Sequence, residues 1–270
     1  MSGAYARLFA SEWRKVLTTK MLWGLILVAL AFATVNVITL SLVAGGIIPG
    51  VPGAEGGSML LNPDYITTLL AQVGSASTFV LVLGVIAMTS EYRHMTITST
   101  FLSTPRRGRV LTAKMSLFGV LGAAIAVISL AAVLVVLVVT LALLKLDHAP
   151  ITAGSVATVL VGAIIGFTLY AILGVSLGAL IKNQVAAIIL ALVWVLLVEA
   201  IIGLALPAVS KWLPGGALNS AMDVSLRSDA TGGLTQADRL PPWGGALVLL
   251  AYAVIFAVIA SRTTLRRDIT

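Results

Sequence analysis

Hydrophobic residues along this chain are gathered into long uninterrupted runs. Six of them exceed the roughly 18 residues that a helix needs to cross about 30 Å of hydrocarbon. They cover 21–48, 65–89, 115–144, 149–181, 185–206 and 243–261, and only the fifth is broken by a charge, Glu199. Ahead of the first run the pattern changes: Tyr5, Leu8, Phe9, Trp13, Val16 and Leu17 share one helical face, with Arg7, Ser11, Arg14, Lys15 and Thr18 opposite. This predicts an amphipathic helix over 1–20 lying in the membrane interface, its aromatics at headgroup depth and its cations toward anionic lipid or a cytoplasmic partner. The expected fold is all-α and integral to a membrane: one domain over 1–270 with six transmembrane helices and this interfacial helix in front.

Orientation follows from the basic residues. An even number of spans puts both termini on one side, and Lys and Arg concentrate there, leaving only Lys145, Lys211, Arg227 and Arg239 on the other face. Cytoplasmic segments retain cations during insertion, so both termini are expected to be cytoplasmic. The first run is too long, and too far from the start, for a cleaved signal peptide.

Composition sharpens the picture by exclusion. Of 270 residues, 59% are hydrophobic and 10% charged, with a formal net charge of +7, too little polar surface to cover a water-soluble globule. A basic excess in so apolar a chain points to an anionic leaflet, so membrane lipids are expected partners and nucleic acid is not. There is no Cys, which removes disulfides, thiolate metal sites and cysteine nucleophiles. His94 and His148 fall on opposite faces and cannot share a metal. With Glu199 the only carboxylate within a run, and no His or Lys base near a serine there, intramembrane hydrolysis and diphosphate chemistry lack their groups. A phosphate-cradling loop needs Gly-Lys, a dipeptide absent here, so no cofactor is expected in this chain and ATP-driven work needs a second polypeptide.

The stretch 90–114 is too charged for a membrane and too patterned for a spacer. Ile97, Phe101 and Leu102 fit a short surface helix; Thr104-Pro105 then breaks it and starts the next helix, with Arg106, Arg107 and Arg109 in its first turn. A purely electrostatic reading also accounts for this basic cluster, as a product of insertion. Glu91, Thr96-Ile97, Leu102, Thr104-Pro105, Arg109 and Lys114 together resemble the loop pattern of the membrane subunits of type-2 ABC exporters, although Met95 stands where that family commonly has Gly. The resemblance extends over essentially the whole chain, through Trp194 to Glu199 and the Trp212-Leu-Pro-Gly-Gly segment.

What the resemblance implies is a bacterial plasma-membrane permease and a cytoplasmic coupling helix within 90–114. That helix would dock in a separate ATP-binding subunit, which holds ATP and Mg²⁺. Contacts are expected at Glu91, Tyr92, Arg93, His94, Thr96, Ile97, Pro105, Arg106 and Arg109, with a second copy of the chain completing a homodimer and an amphiphilic small molecule (drug, antibiotic or lipid) as cargo. The rival expectation is a non-transporting sensor or assembly subunit whose basic loop recruits a cytoplasmic protein.

Two features within the runs remain. Small residues recur every four positions in the fourth run, with Gly162, Gly166, Gly174 and Gly178 on one stripe, a surface for close helix packing that is either static or moving. Glu199 lies 14 residues beyond Val185, about 21 Å along a helix, in the outer third of the bilayer, where an unpaired carboxylate costs about 2.5 kcal/mol. It reads either as a substrate-path residue meeting cationic amphiphiles or as a capped or snorkelling residue of the external turn region. Between the last two runs, 207–242 is long for a connector and is expected to form external or re-entrant pieces broken at Pro214-Gly215-Gly216.

Overall fold

The computed structural model describes residues 2–47, 59–93, 107–146, 150–222 and 239–263, with side chains described from Phe9 onward and, after the 94–106 segment, from Gly108. Every regular element among them is helical. An N-terminal helix, α1 (Ser2–Thr18), meets α2 (Lys20–Ala44) at Thr19, whose extended backbone breaks the helix. The second span is segmented: α3 (Pro63–Ala71), a 3₁₀ stretch (Gln72–Ala76) and α4 (Ser77–Arg93). Asn62 caps α3 by accepting from the Asp64 N–H at 2.9 Å, ahead of a proline in the first turn. The third and fourth spans are continuous helices, α5 (Arg107–Leu143) and α6 (Ala153–Leu180), the latter capped by Thr152, which accepts from the Ser155 N–H at 3.1 Å.

The fifth span begins at α7 (Gln184–Val193), where Asn183 accepts from the Ala186 N–H, and passes through a π-helical turn (Trp194–Val198) into α8 (Glu199–Ala205). Two short helices follow, α9 (Pro207–Ser210) and α10 (Pro214–Ala221), and α11 (Pro242–Arg262) is the sixth span. Six helices are thus long and apolar enough to cross a membrane. The charge-free runs locate all six, but the helices extend past their charged ends. Glu91 and Arg93 belong to the last turn of α4, and Arg109 and Lys114 stand within α5. The expected loop 90–114 is therefore shorter on both sides, because a helix does not stop where charge begins if the charges find partners.

Packing is uneven in an informative way. α6 lies at the centre, against α5, α4 and α11, and the second span is 72% buried over its most apolar window. The fifth span is only 11% buried and presents Val185, Ile189, Leu196 and Leu204 outward, a surface suited to lipid or to another helix, and costly in water.

The glycine stripe of α6 serves two neighbours. At Gly174 and Gly178 the chain of α4 comes so close that a Cβ on Gly174 would collide with the Leu81 carbonyl, and one on Gly178 would stand 2.6 Å from the Val85 oxygen. Gly84 of α4 faces Gly174, so the two backbones touch without side chains between them. At the other end Gly162 and Gly166 receive α10 and the residue after it: a Cβ on Gly162 would lie 2.6 Å from the Met222 oxygen, one on Gly166 2.7 Å from Leu218 Cδ1. Gly154, further toward the N-terminal end of α6, has only the Thr152 hydroxyl near, at 3.9 Å. Gly174→Ala is therefore expected to destabilise the fold by about 1–3 kcal/mol through overpacking, whereas Gly154→Ala should be neutral or slightly stabilising; thermal unfolding of the detergent-solubilised variants compares them.

Candidate functional site

Two sites emerge, at opposite ends of the helices. The first is built where α1, α4 and α5 converge. Periodicity puts Phe9, Trp13 and Val16 of α1 on one face, and all three rest against the core, with the Phe9 and Trp13 rings stacked at 6.4 Å. Glu12 falls on the same face, since it is three residues after Phe9 and four before Val16. It is carried inward with them, to 2% exposure. Lys114, two turns into α5, is 3% exposed, and Glu91, at the end of α4, is 6% exposed.

These three meet. Lys114 Nζ lies 2.5 Å from Glu12 Oε2 and 2.9 Å from Glu91 Oε1, and Lys15 Nζ lies 2.6 Å from Glu12 Oε1 and 3.4 Å from Glu91 Oε1. Two carboxylates and two ammoniums thus form a neutral cluster, three of whose four groups are removed from water, with Lys15 at the rim. Such a cluster is weak as a source of net stability, because desolvation offsets the attraction. Removing one buried partner is another matter, costing about 3–5 kcal/mol by stranding the rest. Its effect is to bolt α1 to the two helices that flank 94–106.

Burial by itself would push Glu12 toward its neutral acid, but the ammoniums of Lys114 and Lys15 outweigh it and hold Glu12 below its ordinary value of 4.5. Burial likewise opposes the charge on Lys15, and the carboxylates of Glu12 and Glu91 win, raising it above its ordinary 10.5. Lys15, 53% exposed, reaches Glu12 and Glu91 within the chain, and Phe9 and Trp13 rest against the core. The sign of the pH dependence follows. Glu12, with a lowered value, stabilises the docked helix above its ordinary range, and this is lost as pH falls through the folded value. Lys15, with a raised value, stabilises it below 10.5, and this is lost as pH rises through the folded value. Docking of α1 should accordingly be flat from about pH 5 to 10 and weaken on both sides, read as increased hydrogen exchange of 9–18 and a red shift of Trp13 emission.

The other expected coupling residues are distributed around this cluster. Tyr92 is half-buried against the core, Arg93 is exposed at the end of α4, and Arg109 is half-buried in the first turn of α5. His94, Thr96, Ile97, Pro105 and Arg106 lie outside the described residues. Glu12 and Lys15 as cluster members escaped the sequence reading. The available signal was a carboxylate in the middle of the apolar face of α1, which needs a buried cation; the sequence does not say which one.

The second site is at Glu199. Its Oε2 accepts a 2.6 Å hydrogen bond from the Gly215 N–H, and the Gly216 N–H and Trp194 indole are further donors beside the carboxyl. Gly215 is in the first turn of α10, whose N-cap residue Leu213 offers no side-chain cap. Glu199 replaces that cap from another helix, placing an anion where orphan N–H groups and the helix dipole favour one. The π turn before it carries Trp194 and Glu199 at its two ends. A Cβ on Gly215 would run into the carboxylate, so this contact demands glycine. Glu199 thus caps α10 from another helix. As for a substrate path, one oxygen is committed to α10, while Oε1 is buried with no hydrogen-bond partner among the described residues, as is the Tyr170 hydroxyl. Among the described residues no group of His, Asp and Glu is arranged to hold a metal ion.

Fold and sites together define a helical multi-pass membrane protein. In comparison with known proteins, the sequence matches no family model and no curated protein. Glu199→Ala should loosen α10 and cost about 1–3 kcal/mol by leaving its N–H groups unpaired, while Glu199→Gln, which keeps an acceptor, should cost much less; thermal unfolding with hydrogen exchange of 214–221 distinguishes them.

Proposed function

We propose that this chain is the transmembrane subunit of an ATP-driven exporter of the type-2 ABC kind, moving an amphiphilic small molecule and working as a homodimer with a separate ATP-binding subunit in a bacterial plasma membrane. The observation that carries the reading is the cluster of Glu12, Lys15, Glu91 and Lys114. It fastens an amphipathic helix to the two helices leading into and out of 94–106, where the loop motif lies. A partner pressing on that loop would move α1, α4 and α5 as one lever, which is what a transporter powered from outside its own chain requires.

The chain's part in the cycle is mechanical. ATP and Mg²⁺ belong to the partner, and the outward apolar faces of the first, fifth and sixth spans meet lipid or the second copy. α10, held by Glu199 over the end of the fifth span, would roof the exit. The test is gentle-detergent purification of the tagged chain from its native host. An ATP-binding cassette protein recovered at one to one is the expected result, and Glu91→Ala with Arg93→Ala should then abolish substrate-stimulated ATP hydrolysis while the chain still inserts. Recovery of the chain alone, or with a signalling protein, would overturn the exporter reading.

A further inference from the structure

The first and second spans carry uncharged polar side chains at a depth where hydrocarbon surrounds the helices. The two run antiparallel, and two contacts set their register: the Phe32 and Phe79 rings meet edge to face at 5.6 Å, and the Tyr65 hydroxyl donates to the Leu40 carbonyl at 3.2 Å. One turn on from Phe32, on the same face of α2, is Asn36, and one turn back from Phe79 is Ser75. Between the two contacts, therefore, Asn36 stands level with the 3₁₀ stretch, which packs more on α2 than on any other element. Residues three apart eclipse one another in a 3₁₀ helix, so Gln72 and Ser75 share one line, continued by Thr78 in the first turn of α4. Asn36, Gln72, Ser75 and Thr78 are all partly exposed. Thr78 is 14 residues after Asp64 and 13 before Glu91, about 20 Å from each, near the middle of the span.

Lipid tails offer such groups nothing, and polar side chains beside a broken helix are tolerated at this depth where they line water or meet polar matter. Two of the donors are already committed within the chain: Asn36 Nδ2 donates to the Phe32 carbonyl at 2.7 Å, and the Ser75 hydroxyl donates to the Gln72 carbonyl at 2.8 Å. Both residues keep acceptor oxygens, and the Gln72 side-chain amide supplies an acceptor and donors. Neither 21–44 nor 65–89 contains Lys, Arg, Asp or Glu, so a charged ligand would be desolvated here without a counter-ion, at high cost. We propose that this face lines a water-accessible passage and binds the uncharged head of an amphiphile, a sugar or polyol whose hydroxyls donate to Asn36, Gln72 and Ser75 while its chain lies along Phe32 and Phe79. The site rests on the spans crossing a membrane and not on the exporter reading, which it would deepen by naming the head of the cargo.

The chain has no Cys, so single cysteines report on it directly. The full chain is reconstituted into lipid vesicles as Thr78→Cys and, for comparison, as Val127→Cys, which sits on an exposed apolar face in the middle of α5. Both are treated with a membrane-impermeant methanethiosulfonate. Only a hydrated thiol ionises and reacts, so Thr78→Cys should be labelled at least about tenfold faster than Val127→Cys. Octyl glucoside below its micellar concentration should then slow labelling of Thr78→Cys by about fivefold or more, as mass action requires of an occupied site, and Gln72→Leu should remove that protection. Octyltrimethylammonium, with the same chain but a charged head lacking O–H and N–H, should protect little. Labelling no faster than at Val127→Cys overturns the proposal, whether lipid covers the face or a second copy does, the latter shown by oxidative crosslinking of two chains through Thr78→Cys. Equal protection by the two amphiphiles overturns it, and so does equal protection by free glucose, which would mean a site for sugar alone. Should Thr78→Cys fail to insert, Ser75→Cys is the second reporter and is judged by the same comparisons. No ATPase is present, so this outcome and the fate of the exporter reading are separate.

Discussion

A lysine withdrawn from water among apolar helices has to find anions, and the arrangement of one end of this molecule follows from that constraint. Lys114 is nearly inaccessible, and it is reached by a carboxylate from α1 and another from α4. Neither could be supplied by α5 itself, so the burial of one cation draws three separate helices together. Lys15 balances the second negative charge from the rim. The attraction alone explains little, since desolvation cancels much of it. What it does provide is exclusivity, because any arrangement that separates these helices leaves charge stranded in a medium that cannot solvate it.

Away from that cluster the helices are held by shape. In surroundings as apolar as the side chains themselves, close backbone approach matters more than the burial of hydrocarbon. The central α6 meets α4 through Gly84, Gly174 and Gly178, and meets α10 and Met222 through Gly162 and Gly166. One stripe of small residues thereby ties a spanning helix and the short helix α10 to the same scaffold. Glu199 adds a polar tie on the far side of α10, through the Gly215 N–H. The short helix is pinned by glycine contacts on one face and a borrowed cap at its end, and the π turn at 194–198 brings Trp194 to the same carboxylate.

Legibility differed between these features for physical reasons. The spans were readable because a helix crossing hydrocarbon must be long and apolar, and this leaves a continuous mark. Their ends were read short at 89 and 115, since Glu91, Arg93, Arg109 and Lys114 look like loop charges until partners are known. The four-residue spacing of the glycines is likewise visible in the chain, while the change of neighbour along the stripe is not. Glu199 was identified as an exceptional residue by its depth and charge, yet its partner lies 16 positions further on, in a segment whose fold depends on it.

The sequence by itself determined an all-helical chain of six membrane-length spans with an amphipathic helix in front, because length, hydropathy and helical period are properties of consecutive residues. Which helices touch, and therefore which charges are free, was decided only by the tertiary structure. Glu12, Glu91 and Lys114 stand 102 positions apart at their extremes, and nothing local to any one of them says that they meet. An ion pair depends on distance in space, and that distance is set by the packing of glycines and apolar faces that lie elsewhere in the chain.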